Sequence, residues 1–226
     1  MERKNTMLLT VIAVATLLVA VVGATFAYYS VTSGTDTSST ALTTTTQKVG
    51  TVTLTNKQEN LYLNVTAEQM SLLNKNKSWY STTTAGDALA EANKVTDTVL
   101  AEFKLTGADA GDKYECVFNW SLKTASESVN AANVKAEDGS VTLAMGSGLY
   151  GLPANTSLKD TLTTNGVSGT GKVQFTGATQ LANVTGYAQW NNLDENQNLR
   201  ADLDMTTTLK IDLVSCDTVS SFSANS

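Results

Sequence analysis

Ala201-Asp202-Leu203-Asp204-Met205-Thr206-Thr207-Thr208-Leu209-Lys210-Ile211-Asp212-Leu213 is the stretch that decides the fold class. Ala201, Leu203, Met205, Leu209, Ile211 and Leu213 share one parity, and Asp202, Asp204, Thr206, Thr208, Lys210 and Asp212 take the other. Alternate side chains of a strand point to opposite faces, so this pattern predicts a strand with one buried and one wet face. Further back, Tyr114, Cys116, Phe118, Trp120 and Leu122 alternate with Lys113, Glu115, Asn119, Ser121 and Lys123. Shorter versions occur at Val52 and Leu54, at Leu61, Leu63 and Val65, at Val141, Leu143 and Met145, and at Val173 and Phe175. Val95, Val99, Ala101, Phe103 and Leu105 also fall on one parity. Gly, Asn and Asp turns separate these runs. The expectation is an all-β domain over residues 48–226, an antiparallel β-sandwich of jelly-roll-like kind with short crossover helices.

Three short helices are expected. Thr66-Ala67-Glu68-Gln69 has the form of a capping box opening a stretch with Met70, Leu72 and Leu73. Residues 84–93 are Ala-rich, and Ser157 to Leu162 suffices for one turn. The glycine-dense segment 146–177 reads as long loops around a weak hairpin. Its Gly166-Val167-Ser168-Gly169-Thr170-Gly171 lacks the Lys-Ser/Thr ending of a phosphate-binding loop.

Composition restricts the chemistry. Fifteen basic against 21 acidic residues give a net charge of −6, and no Lys/Arg cluster with aromatics marks a nucleic-acid surface. His is absent, which removes the usual general base and the commonest metal ligand. Catalytic triads and His-bearing zinc sites are therefore impossible, and neither an enzyme nor a cofactor is expected.

The N-terminal end has a different character. Arg3 and Lys4 precede an apolar stretch from Met7 to Val22, followed by Gly23-Ala24-Thr25-Phe26-Ala27-Tyr28-Tyr29-Ser30. Thr25 and Ala27 are small residues at −3 and −1, so residues 1–27 read as an apolar signal helix cleaved after Ala27. A run of this length also suits an uncleaved membrane anchor. Residues 28–47 are mostly Ser and Thr with few apolar anchors, which reads as a flexible linker or arm.

Gly23 to Ser30 resembles the G-[GA]-T-x-A-x-[FY]-[ST] ending of signal peptides handled by a SipW-type signal peptidase in Firmicutes. The TasA/camelysin biofilm-matrix proteins belong to that export class. The resemblance implies a Gram-positive envelope, with the peptidase as partner during export. A weaker echo is the Asn/Gln-rich run Asn191 to Leu199 ahead of the last strand. Camelysin-like proteins have been described as metallopeptidase-like, and a chain without His departs from that.

Candidate sites come with ordinary alternatives. Cys116 and Cys216 form a disulfide after export, or stay as two buried thiols. Asp194, Asn196 and Asn198 have the alternate spacing of a calcium loop, but Leu199 and Met205 stand where its Gly and closing Glu belong. The alternative is a polar turn. Trp79 and Tyr80 are the sugar-stacking candidates, with Trp120 assigned to the core. Asp202 and Asp204 on one strand face are read as solvated. The expected function is a secreted or cell-surface structural protein, a fibre-forming matrix subunit assembling by strand addition. The alternatives are a monomeric adhesin binding envelope glycans and a pilin-like subunit retaining its apolar helix.

Overall fold

The computed structural model describes residues 32–34, 37–41, 50–67, 69, 78–91, 98–178, 180–193 and 195–224; within 32–41 and at 91 only the backbone is described. The signal segment 1–27, with Gly23 to Tyr28, lies outside these residues, as does Asp194.

Fourteen strands follow in chain order among the described residues: β1 Thr32–Gly34, β2 Thr37–Ala41, β3 Thr51–Asn56, β4 Asn60–Val65, β5 Ser78–Tyr80, β6 Ala90–Glu91, β7 Thr98–Thr106, β8 Lys113–Ser126, β9 Gly139–Met145, β10 Leu149–Tyr150, β11 Asn155–Ser157, β12 Val167–Thr176, β13 Gln180–Asn191 and β14 Leu203–Val219. The first sheet runs β1-β2-β3-β7-β13, with β9 and then β11 beyond β13. β5 takes the edge of β13 past the point where β7 ends, and β6 pairs with β5. The second sheet runs β10-β12-β8-β14-β4. Every pairing within the two sheets is antiparallel, and the all-β expectation holds.

One core lies between the sheets. Leu203, Met205, Leu209, Ile211 and Leu213 of β14 are buried, as the alternation predicts. They meet Ala182, Val184, Ala188 and Trp190 of β13 and Phe103 and Leu105 of β7 within the same cluster. Phe103 and Phe118 touch across the gap with ring centroids 5.0 Å apart. Each such side chain contributes about 1.5–3 kcal/mol by leaving water. In β7 the strict parity breaks. Ala101 pairs with Val184 and Val99 with Thr185, so Leu100 is an extra residue in the ladder and is itself buried. Its carbonyl, freed from the ladder, accepts from Lys57 and Gln58 N–H.

From β7 to β14 every connection passes from one sheet to the other. A jelly roll keeps two consecutive middle strands as a hairpin in one sheet. This sandwich alternates instead, and the jelly-roll-like part of the expectation gives way to that order.

The helical expectations divide. Thr66 Oγ1 accepts from Gln69 N–H at 3.2 Å while Thr66 N–H donates to Gln69 Oε1 at 3.2 Å, the reciprocal bonds of a capping box. Met70, Leu72 and Leu73 lie outside the described residues. Helix α1, Leu158–Thr161, forms where one turn was expected, capped by Ser157 Oγ accepting from Lys159 N–H. It crosses from β11 to β12. Residues 84–91 are not helical: a turn at Thr84–Gly86 leads to a bridge at Ala88 and into β6. Burial of Leu89 in the core overrides the local helix preference.

Of the linker or arm expected at 28–47, two pieces are described: β2 pairs with β3, and β1 pairs with β2. Their ordering rests on main-chain hydrogen bonds offered by a sheet edge, which the low apolar content of the segment could not announce. The remainder of 28–47 lies outside the described residues.

Candidate functional site

The sheet edge at β3 is the first candidate. Five residues of β2 pair with β3, from Thr37 opposite Thr55 to Ala41 opposite Thr51. β1 then folds back on β2 through Thr32–Ser39, Ser33–Ser38 and Gly34–Thr37. Inside β3, Val52 and Leu54 are fully buried, so the edge is anchored to the core from its own side. The arm consists of Thr, Ser, Gly and Ala in these two strands. Such a composition reads no side-chain pocket, and its recognition rests on the backbone ladder.

Two loops at one end of the sandwich are clasped by charge. Arg200 is buried; its Nε lies 2.8 Å from Asp138 Oδ2 and also donates to Asn133 O, and its second nitrogen reaches Glu195 Oε1 at 2.9 Å. Lys135 Nζ holds both Glu195 oxygens at 2.8 Å, and Gln197 donates to Asp138. Hydrogen bonds from Lys135 and Arg200 hold the Glu195 carboxyl below its usual range. Burial pushes the Asp138 carboxyl above its ordinary value, against the Lys135 N–H bond and the Arg200 charge. The Asn/Gln-rich run before the last strand is therefore a tied loop.

This arrangement bears on the calcium candidate. Asn196 Oδ1 accepts from Asn198 N–H at 2.9 Å, a local turn, and Asp194 lies outside the described residues. Glu195 faces cationic side chains rather than joining its neighbours around a common point. Among the described residues no group of three His, Cys, Asp or Glu side chains converges. Asn196 and Asn198 are thus joined in a local polar turn.

The sugar-stacking pair is split by strand geometry. Trp79 and Tyr80 are adjacent in β5 and so face opposite ways. Trp79 is buried and stands opposite Trp190 of β13, so the expectation that it is a stacking surface is corrected. The reason is that β5 extends the first sheet and turns Trp79 to the core. Tyr80 stays half-buried on the outer face, edge-to-face with Tyr187 at 5.2 Å. Burial and then the neighbouring Tyr187 raise the Tyr80 hydroxyl above its ordinary pKa. Gln189, Asn191 and Ser78 form a hydrogen-bonded polar group beside them. Tyr187 is conspicuous in the sequence as an aromatic beside Trp190, but nothing there pairs it with Tyr80.

Cys116 and Cys216 face each other in the β8–β14 ladder and are disulfide-bonded, at an S–S distance of 2.12 Å. Both are buried. A bulge between Leu213 and Ser215 resets the parity of β14 and turns Cys216 inward. Trp120 packs against the core as expected, its Nε1 donating to Gly151 O at 3.0 Å. Asp202 precedes β14 in a left-handed turn (φ 58°), its carboxylate accepting from Ala67 N–H, while Asp204 is exposed on the strand.

Comparison of the chain with family models, with characterised proteins and with solved structures finds no match. The fold and site define a class only, an antiparallel all-β protein with a cross-strand cysteine pair.

Proposed function

We propose that this chain is an exported structural subunit of the cell surface or extracellular matrix, assembling by strand addition. The observation that carries this reading is the β1–β2 arm on the edge of β3. A ladder of five residue pairs built by Ser, Thr and Ala depends on backbone groups that every copy of the chain also carries. The same ladder can thus be made between subunits, β2 of one copy adding to β3 of the next. Exchange of an identical element between copies needs no new contact chemistry. Processing after Ala27 by a SipW-type signal peptidase, implied by the resemblance at Gly23 to Ser30, would free the arm. An uncleaved apolar segment is the pilin-like alternative.

The test is assembly of the chain starting at Tyr28. Ser38→Pro with Ser39→Pro removes consecutive N–H donors, one of which faces β3. The expected outcome is loss of fibres by electron microscopy and of large species by sedimentation. Far-UV circular dichroism and Tm of the sandwich should stay near those of the parent. Fibres formed equally well by the variant would overturn the reading.

A second reading is favoured by one observation, the Tyr80–Tyr187 pair beside Gln189 and Asn191 on the outer face. On that reading the protein is an adhesin for envelope glycans. Saturable glycan binding lost in Tyr187→Ala, with no concentration-dependent assembly, would select it.

A further inference from the structure

The outer face of the second sheet carries a second feature, independent of the arm. β8 turns Lys123 outward and β14 turns Lys210 outward. The register sets Lys123 opposite Thr208 and Lys210 opposite Ser121, so the two ammonium groups stand diagonally on one face. Helix α1 and the loop after it rise beside β8 and bring up Lys159 and Asn165. Two hollows result. One, of about 540 Å³, lies between Lys123 and Lys159; the other, of about 350 Å³, lies over Lys123 and Lys210. Both are walled by Lys123 and Ala125, so the two hollows adjoin as a stepped groove, with Lys159 on one, Lys210 on the other and Lys123 between.

Three lysines gather along this groove with no carboxylate among its lining residues, although the chain has more acidic than basic residues, 21 against 15. Asp204 and Asp212 share the outer face of β14, and Asp160 follows Lys159 in sequence. Among the described residues none of them forms an ion pair with the three lysines, whereas Lys57, Lys135 and Lys172 each have a carboxylate partner. Three ammonium groups without a counter-charge repel one another and attract an anion. Hydroxyls of Ser121, Ser126, Thr163 and Thr208 stand along the same walls.

We propose that the groove binds a linear, phosphate-bearing polyanion. Its positive charges are strung out along a channel rather than gathered round a point, which suits a chain of anions over a single ion. Lysine is a point-charge partner for phosphate, and the groove lacks the arginine fork that favours planar carboxylates. Ser126, Thr163 and Thr208 donate to Asp204 O, Asp160 O and Asn60 Oδ1, which leaves the Ser121 hydroxyl to donate to a phosphate oxygen.

Long-chain inorganic polyphosphate is the probe, titrated against the chain starting at Tyr28, with polyglutamate and orthophosphate as comparison arms. Lys123→Gln, Lys159→Gln and Lys210→Gln are combined in one variant; all three side chains are exposed, and circular dichroism checks its fold. Lys104→Gln, exposed in β7 on the first sheet, is the control. At roughly fivefold per lysine, the triple variant should lose affinity on the order of a hundredfold. The control should change by less than about twofold, and the salt dependence should flatten in the triple variant alone. Four results would overturn the proposal: no binding, equal loss in the control, equal binding of polyglutamate, or orthophosphate competing as well as the polymer. Self-association lost in the triple variant, with no polyphosphate binding, would instead make the groove a contact between copies.

Discussion

Thr124, Thr161 and Thr207 are buried in the core, and each has one hydroxyl proton to place. Thr161 Oγ1 lies 2.8 Å from Leu158 O, a carbonyl that can only accept, so its proton goes there. Thr124, 2.6 Å from Thr161, must then donate to it, and Thr207, 2.8 Å from Thr124, must donate to Thr124. The chain of protons thus runs from β14 through β8 to α1 in one direction. Thr124→Val leaves the Thr207 donor buried without an acceptor and should cost about 1–3 kcal/mol in urea unfolding. Thr207→Val removes only the first donor, orphans no other donor, and should cost clearly less. Equal costs would contradict the assigned direction. The alternation around Met205 to Leu209 set Thr206 and Thr208 outward and so left Thr207 inward. What made a hydroxyl acceptable there was not legible, because its partners come from strands and a helix far off in sequence. The pairing of Arg200 with Asp138 was hidden for the same reason: one buried ion pair joins two loops that only the fold brings together.

At the scale of elements, strands whose apolar residues alternate were legible, and of β12 only the end at Val173 and Phe175 was. Its Gly169 and Gly171 looked like loop signals, yet they are ladder residues opposite Trp120 and Phe118. A Cβ at Gly171 would stand 2.3 Å from the Phe118 ring, and one at Gly169 would stand 2.7 Å from Trp120. The glycines are there because two aromatic rings of β8 lie over the β12 backbone, a cross-strand fact that a single segment cannot display. The sugar candidate failed in a similar way, since the two-residue alternation that separates Trp79 from Tyr80 applies only once β5 is known to be a strand. Beyond β14 the chain turns back and is held by Glu115 of β8. Its carboxylate accepts from Ser223 Oγ and Ser223 N–H and from Gln174 Nε2, with Lys172 at 3.9 Å. The Ser223 hydroxyl bond leads the causes that hold Glu115 below its usual pKa. A carboxyl depressed on folding adds stability above its unfolded pKa, and that stability is lost as pH falls through the folded value. The tail should therefore stay docked at neutral pH and detach as pH falls below the ordinary carboxylate range. Hydrogen exchange at Ser223 N–H measures this. In Glu115→Gln the acid-dependent step should vanish; an unchanged step would assign the tail's docking to another group.

For the whole molecule, the disulfide joins strands that an extensive ladder already aligns, so it is an addition to the fold rather than its origin. Closing a loop of 100 residues restricts the unfolded chain, and removing the bond typically costs about 2–5 kcal/mol. Cys116→Ala with Cys216→Ala should lower the urea midpoint by a corresponding amount while leaving the far-UV spectrum native. Loss of the fold would show that the ladder cannot form unaided. The cysteine pair was legible from two cysteines in an exported chain, but the alternation of β14 puts Cys216 on the outward parity, and the bulge that turns it to the core was not legible. The position of β14 has a further effect on timing. Among the described residues it is the last strand in chain order, and it sits inside its sheet, between β8 and β4. A chain delivered N-terminus first, whether from a ribosome or through a pore, reaches its final strand with β8 and β4 still unjoined. Neither can close on the other until the tail arrives to fill the gap between them. Until β14 emerges the second sheet lacks the strand that joins β8 to β4, and in a nascent chain arrested short of Leu203 those two strands stay unjoined.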